Sequence, residues 1–272
     1  MTQKIIIIAG DGRLPKILIN EIIKLKVSIH VILISSNKFN ESLLKYPHTI
    51  ITYGKIMTKL LELKESGFSK IIFAGSLQKP SLKSLKPDFN MLKILPRLSK
   101  VFLKGGDDRL LSFLIKELEL LKFEVLDIKK FLSDFFPSFG NFTKIQPSKI
   151  SLSDIKKGKN ILDVLAPMDV GQSVIIQQGD VLGIEAIEGT DNLIIRTKKF
   201  LKHGEKPTLI KLVKRGQNLK ADLPTIGLNT IRLCIQNSIG GIAYSGNQTL
   251  FIDYKKIITK LSASKFFLYG IE

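Results

Sequence analysis

The first half of the chain alternates between short β-branched runs and amphipathic helical patterns. No other feature of the sequence restricts the fold as much. Runs rich in Ile, Val and Thr lie at 5–9, 30–35, 49–53, 70–74 and 124–128. Between them, Leu14, Ile17, Leu18, Ile22 and Leu25 recur at three- and four-residue spacing, as do Ile56, Leu60 and Leu61. Leu110, Leu111, Leu114, Leu118 and Leu121 mark the buried face of a helix predicted over 107–122. Strands separated by helices form a mostly parallel sheet through right-handed crossovers. The pattern predicts an α/β fold whose N-terminal domain, residues 1–134, is a Rossmann-like open parallel sheet.

The alternation stops at 135–157, where Phe135-Phe136-Pro137-Ser138-Phe139-Gly140 and Pro147-Ser148 cluster turn-forming residues. This stretch is expected to be a linker carrying some packed aromatics. Residues 158–272 have another pattern. A hairpin is predicted around Gln178-Gly179-Asp180, helices after Asp191, over 225–237 and over 254–261, and short strands near 208–213, 242–244, 249–252 and 265–269. They are expected to form a smaller, mixed α+β C-terminal domain.

Composition narrows the classes of function. The chain has 272 residues, with 42 Lys+Arg against 24 Asp+Glu and a formal net charge of +18. Such a charge draws nucleic acid, an anionic membrane or a phosphate-bearing substrate, or it reflects a lysine-rich composition and nothing more. Only Arg13, Arg97, Arg109, Arg196, Arg215 and Arg232 carry the planar guanidinium that base readout favours, and the charge is spread over both halves. A basic nucleic-acid-binding module is therefore disfavoured. The one cysteine, Cys234, excludes an internal disulfide framework and a multi-cysteine zinc site, which fits a cytoplasmic setting. The apolar run after Lys4 ends in Gly10-Asp11-Gly12-Arg13, too short for a signal-peptide core. The uncharged stretch 233–252 is too polar to span a bilayer.

Several segments carry chemistry. Gly10-Asp11-Gly12-Arg13-Leu14-Pro15 joins a strand to a helix; its glycines and the helix N-terminus suit a phosphate. The third glycine of a dinucleotide fingerprint is missing, and the second strand ends in Ser35-Ser36 without the carboxylate that holds a ribose, so NAD is disfavoured. Gly75 ends the fourth strand and is expected to share a crevice with Gly10 and Gly12. Residues 79–104 interleave Lys79, Lys83, Lys86, Lys93, Arg97, Lys100 and Lys104 with apolar residues, which suits an anionic membrane surface or an ordinary half-buried helix; Pro96 is expected to interrupt a continuous helix. In the acid-poor second half, Asp169-Val170-Gly171-Gln172, Glu185-Ala186-Ile187-Glu188-Gly189-Thr190-Asp191 and the stretch Lys214 to Gly227 group carboxylates with lysines. That grouping suits metal-assisted chemistry on a phosphorylated ligand, or caps and turns. His30, His48 and His203 are isolated, and there is no Gly-x-Ser-x-Gly elbow and no P-loop.

Together with Phe73-Ala74-Gly75, Gly106-Asp107-Asp108 and Asp222-Leu223-Pro224-Thr225-Ile226-Gly227, these motifs give the whole chain a resemblance to the bacterial UDP-2,3-diacylglucosamine pyrophosphatases of the LpxI type. The resemblance implies hydrolysis of UDP-2,3-diacylglucosamine to UMP and 2,3-diacylglucosamine 1-phosphate (lipid X). This is a step of lipid A synthesis at the cytoplasmic face of the inner membrane, with peripheral association and a homodimer. It implies a divalent cation, Mg²⁺ or another such as Mn²⁺. Asp222 would be the main catalytic or metal-organising carboxylate, with Lys214 and Gln217 on phosphate. Glu185, Glu188 and Asp191 would be metal or water ligands. Substrate contacts would come from Gly10, Gly12, Arg13, Gly75, Asp107, Asp108, Gln172, Thr190 and Thr225.

The chain departs from the family pattern in one motif. Asn218 stands where Asp is usual, Lys220 where Arg is usual and Arg215 where Pro is common. Asn keeps an oxygen but loses a charge, and Lys lacks Arg's bidentate grip. A relative that binds a nucleotide-sugar without turning it over is the alternative that these departures raise.

Overall fold

The computed structural model describes residues 3–78, 85–104, 107–214, 217–220, 223–262 and 264–272; the side chains of 102–104 and 107–108 lie outside the description. The chain forms two compact units. One comprises Met1–Ser133 with Asn218–Asp222, the other Asp134–Gln217 with Leu223–Glu272.

The first unit contains strands β1 (Lys4–Ala9), β2 (Ser28–Ile34), β3 (His48–Ile51), β4 (Lys70–Ala74) and β5 (Glu124–Val125). They stand in the order β3-β2-β1-β4-β5, and all pairs are parallel. Ile5 to Ala9 are buried without alternation, as a strand covered on both faces requires. The crossovers are α1 (Leu14–Lys24), α2 (Ile56–Glu65) and the pair α3 (Phe89–Lys104) and α4 (Asp107–Leu120). Pro15 enters α1 at its first turn, where a missing N–H costs nothing. Pro96, expected to break the helix, lies inside a continuous α3. Met91, Ile94 and Leu98 bury the other face of that helix against the core, and this packing offsets the lost backbone bond. Arg97 also reaches Glu117 of α4 at 2.9 Å. The strand predicted over 124–128 is shortened to β5, because Asp127 caps a 3-10 turn over Ile128–Lys130.

The second unit begins earlier than its predicted start. Residues 135–157 contribute β6 (Gly140–Asn141) and the first turns of α5 (Lys149–Leu165), whose N-cap is Ser148. The Pro, Gly and Ser residues of that stretch mark a strand edge and a cap. Then follow β7 (Ser173–Gln177), β8 (Asp180–Ile184), α6 (Gly189–Thr197), β9 (Thr208–Lys211), β10 (Thr225–Ile226), α7 (Leu228–Gln236), β11 (Gly241–Ser245), β12 (Leu250–Phe251), α8 (Tyr254–Leu261) and β13 (Phe267–Ile271). Six strands form one sheet in the order β6-β13-β11-β9-β7-β8, and β10 pairs with β12 separately. The central β13, β11 and β9 are parallel to one another, and the outer pairings are antiparallel. Both units are therefore α/β, and they are nearly equal in length.

The hairpin is where the sequence places it, for a visible reason. Gln178 and Gly179 both take positive φ, the geometry of a tight two-residue turn. The buried carboxylate of Asp154 in α5 accepts the Gln178 and Gly179 amides at 2.9 and 2.7 Å. Helices pack on both faces of this sheet. One core includes Ile175, Leu209, Ile242 and Phe251, the other Val174, Ile176, Ile210 and Ala243.

Candidate active site

The carboxylates and lysines of the second unit gather where β7 begins and where β8 and β9 end. The 3-10 turn Ala166–Met168 stops at Asp169, which takes a left-handed backbone. Gly171, at φ +49°, then brings the chain against Glu185, so closely that a Cβ there would sit 2.1 Å from the Glu185 carbonyl oxygen. This approach lets the Gln172 amide donate to Glu185 Oε2 at 3.3 Å. Asp169 Oδ1 meets Lys214 Nζ at 2.5 Å. Lys214 and Gln217 clasp each other: the Lys214 amide donates to Gln217 Oε1 and the Gln217 amide to the Lys214 carbonyl, both at 3.0 Å.

Behind this surface lies a buried network. Glu185, Thr190 and Lys211 are each less than a tenth exposed. Lys211 Nζ donates to Thr190 Oγ1 at 2.7 Å, and Thr190 Oγ1 donates to Glu185 Oε1 at 2.9 Å. The Gln172 side-chain oxygen Oε1 is buried with no hydrogen-bond partner. A stranded acceptor costs free energy until a donor reaches it, which suits a ligand hydroxyl or N–H beside Glu185.

The three carboxylates expected to share a metal go to separate partners. Glu185 takes the contacts above. Glu188 pairs with Arg196 at 2.8 Å. Its own backbone amide, followed by Arg196, holds its carboxyl below the ordinary glutamate range. Asp191 accepts Asn229 Nδ2 at 2.8 Å and Thr230 Oγ1 at 3.0 Å. No group of three or more His, Cys, Asp or Glu side chains converges as a cation site among the described residues. Glu185, Glu188 and Asp191 as they stand do not make one ligand set for Mg²⁺. Asp222, the expected main carboxylate, lies outside the described residues, as does Arg215.

In the first unit the strand order places the β1 and β4 ends side by side, at the point where the sheet's winding reverses and ligands bind in open α/β sheets. Gly10, Gly12 and Gly75 are brought to this one place. The Gly10 amide donates to the Ala74 carbonyl at 2.8 Å, and Asp11 and Ser76 exchange both backbone bonds at 2.8 and 3.0 Å. Side chains have no room here: a Cβ on Gly10 would lie 2.2 Å from the Ser76 oxygen, and one on Gly75, at φ +87°, would lie 2.5 Å from the Asp11 oxygen. Gly12, at φ +99°, has open space above it. Arg13 leads into α1. Asp107 and Asp108 open α4, with their side chains outside the description.

Other expected contacts have local partners. The Thr225 hydroxyl donates to the Leu223 carbonyl at 3.0 Å. Asn218 Oδ1 accepts the Lys220 amide at 3.1 Å, and Lys220 Nζ lies 3.6 Å from Glu119. Two residues escaped the sequence reading. Asp169 stood in a noted motif without a role, and Lys211 read as an ordinary strand residue; its only signal was a lysine in the apolar run Leu209-Ile210-Lys211-Leu212.

A Rossmann-order sheet with a glycine-lined switch point, and a second α/β sheet with a lysine–carboxylate cluster at its strand ends, define a two-unit α/β protein suited to anionic ligands. Residues 4–135 match the LpxI N-terminal domain and residues 138–269 the LpxI C-terminal domain; the chain belongs to the LpxI family. It is 28% identical to the UDP-2,3-diacylglucosamine pyrophosphatase LpxI of Caulobacter vibrioides, over 99% of this chain and 98% of that protein.

Proposed function

We propose that this chain hydrolyses the pyrophosphate of UDP-2,3-diacylglucosamine, releasing UMP and 2,3-diacylglucosamine 1-phosphate for lipid A synthesis. The observation that carries the reading is the likeness to the Caulobacter vibrioides pyrophosphatase, at 28% identity over 99% of the chain. The second unit supplies fitting chemistry. Water attacks a phosphorus flanked by anionic oxygens, the anhydride P–O bond breaks, and the departing phosphate carries negative charge. Lys214, paired with Asp169 and clasped by Gln217, is a pre-aimed cation for that charge. Asp222 would accept the proton from the attacking water. The unmet Gln172 oxygen would take a donor of the sugar.

A divalent cation would neutralise pyrophosphate charge when bound. The described carboxylates form no ligand set for it. Purified chain with this substrate should release UMP, and Asp222→Ala should abolish the release; running both with Mg²⁺ and with EDTA decides the cation requirement. Wild-type chain and Asp222→Ala giving the same background would sink the proposal.

The second reading is a relative that binds the nucleotide-sugar without turnover. Asn218 closing a local turn and Lys220 lying beside Glu119 favour it. Calorimetric binding of substrate with no UMP release would establish it, and a rate gained in Asn218→Asp would locate the defect.

We also propose that the chain rests on the cytoplasmic leaflet as a homodimer. No helix among the described residues is long and apolar enough to cross a membrane. The helix α3 exposes Phe89 and Leu92, with Lys93 over the Phe89 ring at 4.6 Å, a pairing suited to an anionic lipid surface. Sedimentation with phosphatidylglycerol vesicles and not with phosphatidylcholine, weakening with salt, tests the first claim, and light scattering after gel filtration tests the second.

A further inference from the structure

Lys211 ends β9, opposite Ser173 in β7 and Tyr244 in β11, and is only 6% exposed. Lysine is almost never buried this deeply without a partner. An ammonium has protons to give and no lone pair to receive one, so in the 2.7 Å bond to Thr190 the hydroxyl oxygen is the acceptor. The Thr190 proton must then go elsewhere. Glu185 Oε1 at 2.9 Å takes it; Ser173 Oγ, at 3.4 Å, is the poorer partner. The other Glu185 oxygen accepts the Gln172 amide, which can only donate. The directions of all three bonds are thus forced, from Lys211 through Thr190 onto one oxygen of Glu185 and from the backbone onto the other.

We propose that Lys211 is a positioning residue. Acting through the Thr190 hydroxyl, it holds the Glu185 carboxylate in one orientation at the end of β8 for the hydrolysis proposed above. The relay rests on geometry alone; its consequence for rate rests on the proposed function. Lys211 lies outside every motif that marks the family resemblance, and its role is visible only when the protons are counted.

The experiment compares wild type, Lys211→Met, Lys211→Arg, Thr190→Val and the Lys211→Met/Thr190→Val double variant by UMP release and by urea unfolding. Lys211→Met and Thr190→Val should each lower kcat by about 10- to 100-fold, the range for a partner that orients a working group. KM should stay within about threefold of wild type, because ground-state binding is untouched. Lys211→Arg, which keeps the charge and the donors, should recover much of the rate. The double variant should lose no more than the worse single, since both changes cut the same relay. The urea midpoints should be less than additive in the same cycle.

Multiplied rate losses, additive midpoint shifts, or a Lys211→Met enzyme with wild-type kcat would each overturn the proposal. A wild type that releases no UMP removes the proposed function instead. The urea cycle then decides the relay by itself, and Thr190→Val and Lys211→Arg keep it decidable if Lys211→Met does not fold.

Discussion

Asp169 and Lys214, 45 residues apart in sequence, meet at 2.5 Å, with about a quarter or less of each side chain exposed. One stands in a left-handed turn after α5 and the other just beyond β9, so the pair ties a loop to a strand end. A carboxylate that pins a lysine in place fixes where its charge acts and reduces the reorganisation needed when phosphate arrives.

Removal of the cation should therefore cost rate. Lys214→Met is expected to lower kcat/KM for UMP release by about 10² to 10³-fold, the range for a lost electrostatic contact in a transition state. Asp169→Asn should cost less, about tenfold, because it loosens the lysine without removing it. Steady-state kinetics on both variants, with circular dichroism to verify folding, checks the order of the two effects.

Gly171 is a second sensitive point. Its φ of +49° and the 2.1 Å approach to the Glu185 carbonyl leave no space for a methyl group. Gly171→Ala should destabilise the second unit by about 1–3 kcal/mol, the usual cost of imposed backbone strain. It should also depress UMP release by displacing Glu185. Urea unfolding of the variant measures the first effect; an unchanged midpoint would refute it.

Cys234 is fully buried, and burial, with a smaller push from Asp191 and against an opposing pull from Lys211, drives its thiol pKa far above the ordinary value. The thiolate is the reactive form. The native protein at pH 8 should show no reaction with a thiol reagent, and one thiol should appear on unfolding. Fast native-state labelling would contradict this burial.

His30 sets a pH dependence in the first unit. Burial first, then the charges of Lys59 and His48, lower its pKa below 6.5, and its Nε2 lies 2.8 Å from Thr49 Oγ1. The unfolded ring thus binds a proton more readily than the folded one. Stability from this residue is fully present above the unfolded value and is lost as pH falls through and below it. Urea midpoints should fall between pH 7 and 5, and His30→Gln should flatten that slope. An identical slope in the variant would remove His30 as the cause.

The first unit was legible in the sequence nearly element by element. The β-branched runs became β1 to β4 and the leucine patterns α1, α2 and α4, because burial on both faces of a parallel sheet leaves a continuous apolar signal. Failures came where tertiary contacts outweighed local rules. Pro96 did not break α3, since packing against the core held the helix together. Residues 135–157, rich in turn formers, belong to the second unit, because Gly140 there opens a strand and Ser148 caps a helix. The parallel centre of the second sheet could not be read from strand lengths, since strand direction depends on which segments pair across the fold.

The site divides the same way. The sequence by itself determined which residue types were available and that they cluster in Asp169–Gln172, Glu185–Asp191 and Lys214–Gly227, because short motifs are local. Only the tertiary structure decided the partners. It gave Lys214 to Asp169, split Glu185, Glu188 and Asp191 among a threonine, an arginine and two α7 side chains, and placed Lys211 beneath Thr190. The physical reason is that hydrogen bonds and ion pairs act over about 3 Å. Which groups come that close is settled by strand order and loop closure across tens of residues, and no local pattern encodes it.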